Sequence, residues 1–120
     1  MRLTARQLET KSKVETVARM FDIDPKWAVA VALTESSLGD QQVSPTGCKG
    51  VFQMSRVAME DLRLAMADKD DDLVDIVCGV AFLKLLLKRH GCIAKATMKF
   101  CDPKDREFYL KKVLGYMTEL

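Results

Sequence analysis

The 120-residue chain has little of what metal sites, membrane spans and nucleic-acid interfaces require. It has one histidine, His90, and no two of its four cysteines have the close spacing of a zinc site. Its most apolar stretch, 73–87, is too short to span a membrane and contains charged residues. Nineteen basic and 17 acidic residues alternate along the chain, without the basic face of a nucleic-acid binder. We therefore expect no metal, no transmembrane segment and no nucleic-acid partner.

The amino-terminal residues also lack the apolar run that follows the charges of a signal peptide. A chain of 120 residues can close one apolar core without covalent crosslinks, so we expect a single domain over residues 1–120. For the same reason the cysteines are expected to be thiols, with no obligatory disulfide. They are Cys48, Cys78, Cys92 and Cys101.

Apolar residues recur with helical spacing almost everywhere, and the alternation typical of strands is missing, which predicts an all-α fold. The first helix has two possible starts, at Thr4 or at Ser12, because each begins a capping box. Asp24 followed by Pro25 predicts the start of a second helix that runs to Leu38. Further helices are predicted over about 55–67, 71–90 and 93–100, and from Asp102-Pro103 to about 118.

Two of these segments have features that bear on the overall arrangement. The 71–90 helix is apolar on almost every side, which predicts that the other helices surround it. Residues 39–54 contain several turn formers and form a long loop, and such loops inside a compact domain are often functional.

Glu35 is the strongest candidate for chemistry in the sequence alone. It lies four residues after Val31 and three before Leu38, so it shares a helical face with apolar neighbours. Burial there would raise the pKa of its carboxyl toward the range of a general acid. The alternative is an ordinary glutamate in the last turn of a helix, turned toward solvent.

The pair Glu35-Ser36, followed by SPTGCKGVFQM over residues 44–54, resembles the catalytic region of soluble, goose-lysozyme-like lytic transglycosylases. The resemblance covers roughly residues 12–117 and implies a lysozyme-like fold. It also implies cleavage of the bond between N-acetylmuramic acid and N-acetylglucosamine in peptidoglycan, by a monomer without a cofactor. The resemblance makes Glu35 the catalytic acid. The substrate-binding residues that it implies are Ser44, Gly50, Phe52, Gln53 and Tyr109.

A family of this kind acts on the bacterial cell wall, so the protein would reach it from a phage virion, by lysis or as part of a larger exported protein. The family uses one carboxyl as acid and then as base, which leaves 1,6-anhydromuramoyl ends. Three alternatives stay open at this stage. They are a hydrolytic lysozyme or chitinase on the same fold, a catalytically silent wall-binding or assembly module, and a helical nucleic-acid binder.

The sequence departs from the family pattern after the 71–90 helix. Where the family has Ala-Tyr-Asn-x-Gly, this chain has Ala96-Thr97-Met98-Lys99-Phe100. In the family the Tyr and Asn help to hold the sugar near the catalytic acid. We therefore expect weaker substrate binding here, and tighter binding when Thr97 and Met98 are changed to Tyr and Asn.

Overall fold

The computed structural model describes residues 1–40, 51–53, 71–101 and 103–120, and these contain five α-helices and no strand. The helices are α1 (Ala5–Met20), α2 (Pro25–Ser36), α3 (Asp71–His90), α4 (Ile93–Phe100) and α5 (Arg106–Glu119). The all-α prediction is therefore confirmed. The helix expected over 55–67 lies outside the described residues. None of the described helices has the length and apolar character needed to cross a membrane.

Helix α1 begins at the first of its two possible starts. The Thr4 hydroxyl accepts the Gln7 backbone N–H, and the Gln7 side chain accepts the Thr4 N–H, which completes the capping box. Ser12 therefore lies inside the helix. The Gln7 side chain also donates to the Ser37 carbonyl, at 3.1 Å, and so ties the start of α1 to the end of α2.

Helix α2 starts as predicted, since Asp24 accepts the Lys26 N–H and Pro25 occupies the first turn. It ends at Ser36, two residues before the expected Leu38. The Ser36 hydroxyl accepts the Gly39 N–H at 2.9 Å, and Ser37 and Leu38 take left-handed backbone conformations. A serine side chain that bonds to a nearby backbone group competes with helix continuation in this way.

Of the described helices, α2 is the most buried, because every residue from Trp27 to Leu33 is buried. It packs against α1 and α5, while α3 packs against α1 and α4. The prediction that other helices surround α3 is wrong on one side of this helix, since Leu73 and Leu85 are exposed. The buried face of α3 carries Val74, Asp75, Ile76, Gly79, Val80, Leu83 and Leu86.

The carboxyl-terminal segments follow the expected order with one difference. Helix α4 has the predicted bounds, but Pro103 begins a short 3₁₀ turn, Pro103–Asp105, and α5 starts only at Arg106. Asp102, expected to cap that start, lies outside the described residues. Among the described cysteines, Cys78, Cys92 and Cys101 are thiols, and Cys48 lies outside the described residues.

Candidate functional site

Glu35 lies in the last turn of α2 and is partly buried. Its Oε1 accepts a hydrogen bond from the Tyr109 hydroxyl, at 2.7 Å, across 74 residues of sequence. The two residues meet because α2 and α5 pack against each other. This glutamate is therefore not the solvent-facing residue of the alternative interpretation, but one half of an inter-helix pair.

The surroundings of Glu35 favour its protonated form. Burial raises the pKa of the Glu35 carboxyl above its ordinary value of 4.5, and the hydrogen bond from Tyr109 lowers it by less than burial raises it. No described acidic residue contributes a charge–charge effect to this pKa. The result is a carboxylic acid that keeps its proton to higher pH than an exposed glutamate, as a general acid requires.

The Tyr109 hydroxyl is held in its neutral form. Burial, followed by the charge of Glu35 and its hydrogen bond, raises the pKa of Tyr109 well above its ordinary value, and Cys101 adds a smaller effect. Tyr109 therefore remains a hydrogen-bond donor to Glu35 throughout the range in which the carboxyl titrates.

The turn 51–53 packs against the end of α2. The contact is made by Ser36, the last residue of α2, which directly follows Glu35 in the sequence. The Ser36 hydroxyl donates to the Val51 carbonyl at 2.5 Å, and the Asp75 carboxylate of α3 accepts the Phe52 N–H at 3.1 Å. Gln53 follows with a left-handed backbone, φ 52°. The turn is thus held between the helix that carries Glu35 and helix α3.

Left-handed backbone concentrates in this part of the molecule. Three of the four non-glycine residues with positive φ in the described ranges are Ser37, Leu38 and Gln53, beside Glu35 or in the adjoining turn. This conformation costs an L-residue about 1–2 kcal/mol. Such strain persists where surrounding contacts enforce it, and it clusters at functional sites.

Phe52 is one of the substrate-binding residues that the resemblance implies, but its side chain lies in the core. The side chain is fully buried, and its ring makes an edge-type contact with Phe100 at a centroid distance of 6.4 Å and an interplanar angle of 70°. It also fills the space that a side chain at Gly79 would occupy, since a Cβ there would lie 2.6 Å from the Phe52 Cβ. The Phe52 side chain is therefore part of the core and anchors the turn.

Thr97 also differs from its expected place. It is fully buried, and its hydroxyl accepts the Trp27 indole N–H at 2.8 Å and donates to the Ile93 carbonyl at 2.7 Å. A side chain enclosed in this way has no access to a sugar. The idea that a tyrosine at 97 would restore a substrate contact is not supported, because the position faces the core.

Of the predicted site residues, the structure brings Glu35 and Tyr109 into contact and places Gln53, partly buried, in the turn beside Ser36. Ser44 and Gly50 lie outside the described residues. Sequence reasoning quoted Ser36 in the motif but gave it no role, and it gave none to Asp75. The signal for Asp75 was visible, since a lone carboxylate inside an apolar helix needs a partner.

The described residues are all-helical and place a partly buried acid with a raised pKa at the end of a buried helix, as in a lysozyme-like glycan-cleaving protein. A family model, the transglycosylase SLT domain, matches residues 12–98, so the chain belongs to that family. The family acts on cell-wall peptidoglycan by lytic transglycosylase-type chemistry. Searches of curated proteins and of solved structures gave no significant match.

Proposed function

We propose that the protein is a peptidoglycan lytic transglycosylase that cleaves the MurNAc–GlcNAc β-1,4 bond with Glu35 as its general acid and base. The observation that carries the proposal is the state of Glu35, a partly buried acid with a raised pKa and a hydrogen bond from Tyr109. Family membership supports this general type of activity, and the geometry supports this residue as its centre.

In the proposed reaction, protonated Glu35 donates its proton to the glycosidic oxygen as the bond to the muramoyl anomeric carbon breaks. Tyr109 stabilises the carboxylate that forms, because a hydrogen bond to an ionised acceptor is stronger than one to a neutral acceptor. The carboxylate then accepts the proton of the muramoyl 6-hydroxyl as that oxygen bonds to the anomeric carbon. The products are a free GlcNAc 4-hydroxyl and a 1,6-anhydromuramoyl end, and no water is consumed.

A single carboxyl is enough for this route, whereas most glycosidases use two. Among the described acids, Asp75 is buried with its carboxylate on the Phe52 N–H, and Asp40 is exposed beyond the end of α2. Neither shifts the pKa of Glu35. The described part of the site therefore favours substrate-assisted ring closure over attack by a water that a second carboxylate activates.

The test is mass spectrometry of the fragments that the purified protein releases from peptidoglycan. We expect anhydromuramoyl ends from the wild type and a loss of about 100- to 10,000-fold in rate for Glu35→Gln, since Gln keeps the shape but cannot donate this proton. Glu9→Gln on the exposed face of α1 is the matched control and should cleave normally. Reducing ends would indicate a hydrolase, and near-normal turnover by Glu35→Gln would refute its catalytic role.

A further inference from the structure

Asp75 is the one charged residue among the buried side chains of the described ranges, with an exposed fraction of 1%. It lies on the inner face of α3, in an otherwise apolar part of the helix. Burial of a carboxylate is costly unless hydrogen bonds compensate for the lost water. The hydrogen bond from the Phe52 N–H shows where part of that compensation comes from.

The contacts of Ser36 and Asp75 meet on one peptide unit. The Val51 carbonyl and the Phe52 N–H belong to the same trans peptide group, and they point in opposite directions. Ser36 of α2 donates to the carbonyl and Asp75 of α3 accepts the N–H. A planar unit bonded at both ends to two different helices cannot rotate without breaking one of these bonds.

A second contact from α3 supports the same turn. Gly79 lies four residues after Asp75 and therefore on the same face of the helix. The Phe52 side chain occupies the space beside Gly79, while its N–H is bonded to Asp75. Backbone and side chain of Phe52 are thus both held by α3, immediately before Gln53, whose left-handed conformation needs support from its surroundings.

We propose that Asp75 is a positioning residue, which holds the 51–52 peptide unit and thereby sets Gln53 beside the end of the helix that carries Glu35. The inference rests on the proposed function, because Gln53 is the residue through which this turn would contact the glycan. Asp75 acts through the backbone of the turn and does not touch substrate.

The test compares Asp75→Asn, which keeps an oxygen that can accept the Phe52 N–H, with Asp75→Ala, which does not. We expect Asp75→Ala to lower kcat for peptidoglycan cleavage by about 10- to 100-fold well below its Tm, since misplacement by about 1 Å can cost 100-fold. Asp75→Asn should recover most of that loss. Hydrogen exchange of the Phe52 amide should be at least about tenfold faster in Asp75→Ala and close to normal in Asp75→Asn.

Val14→Ala is the matched control, because Val14 is fully buried on α1 and has no place in the site or the turn. It should lower Tm but leave both kcat and Phe52 exchange unchanged. The inference is overturned if Asp75→Ala behaves like Val14→Ala, or if Asp75→Asn is as defective as Asp75→Ala. A wild type that leaves peptidoglycan intact would refute the proposed function instead, and Phe52 exchange alone would then decide whether Asp75 holds the turn.

Discussion

Replacement of Tyr109 by phenylalanine removes the hydroxyl that donates to Glu35 at 2.7 Å and keeps the ring that packs against the core. Burial raises the pKa of the Glu35 carboxyl, and this hydrogen bond lowers it. Loss of the hydrogen bond therefore raises the pKa of Glu35 further. Because Glu35 must be protonated to begin the reaction, activity falls as pH rises through this pKa. In Tyr109→Phe we therefore expect the alkaline limb of the pH profile to move to higher pH.

The same substitution should lower the rate on the plateau. A hydrogen bond to a charged group contributes about 1.5–3 kcal/mol, against about 0.5–1.5 kcal/mol between neutral groups. The difference of about 1–1.5 kcal/mol is the preference of Tyr109 for the carboxylate that develops as Glu35 gives up its proton. Since about 1.4 kcal/mol corresponds to tenfold, kcat of Tyr109→Phe should fall about tenfold.

The assay is the rate of peptidoglycan cleavage as a function of pH, with product ends identified by mass spectrometry. Tyr116→Phe is the matched control, because Tyr116 is the other tyrosine of the chain and lies on the same helix, partly buried against the core. It should leave both the plateau and the alkaline limb in place. A limb that moves to lower pH in Tyr109→Phe, or an unchanged plateau, would refute the assigned role of Tyr109.

Two further predictions concern stability. The pKa of Glu35 in the folded state lies above its ordinary value of 4.5. The free energy of unfolding of the wild type therefore declines as pH rises from 4.5 through the raised pKa, because a buried carboxyl must ionise. Glu35→Gln has no carboxyl at this position and should not show this decline. Thermal melts should therefore show a higher Tm for Glu35→Gln at pH 7 and no difference below pH 4.5, and equal Tm values at pH 7 would contradict the burial of the charge. Thr97→Tyr with Met98→Asn should lower stability by roughly 1–3 kcal/mol through overpacking at a fully buried position, without tighter binding of peptidoglycan. Tighter binding by a folded double variant would show that position 97 reaches the glycan after all.

The helix starts could be predicted because their signals are local. Thr4 with Gln7, and Asp24 with Pro25, satisfy backbone groups within a few residues of themselves, and the structure uses both pairs in that way. The bounds of the 71–90 and 93–100 helices were also correct. In each case the residues that define the helix end are neighbours in sequence, so no knowledge of the tertiary fold was needed.

The end of α2 was not predicted because it depends on hydrogen bonds that the Ser36 side chain forms only in the folded structure. Its hydroxyl bonds to the Gly39 N–H and to the Val51 carbonyl, 15 residues further on, rather than leaving the helix to continue to Leu38. The burial of the Phe52 side chain was not predicted for a related reason. The resemblance implies that Phe52 binds substrate, but its side chain fills the space beside Gly79 on α3, within the core.

The candidate acid illustrates what sequence can and cannot supply. Spacing placed Glu35 on an apolar face, and the resemblance made it catalytic, but neither predicted that the Tyr109 hydroxyl would bond to it. The contacts that shape the site join Glu35 to Tyr109, Asp75 to Phe52 and Ser36 to Val51, and all three cross from one element to another. Each includes a polar group at a buried or partly buried position, where an absent partner would be costly. A polar residue on an apolar face therefore predicts that a partner exists, and the packing of the helices decides which residue it is.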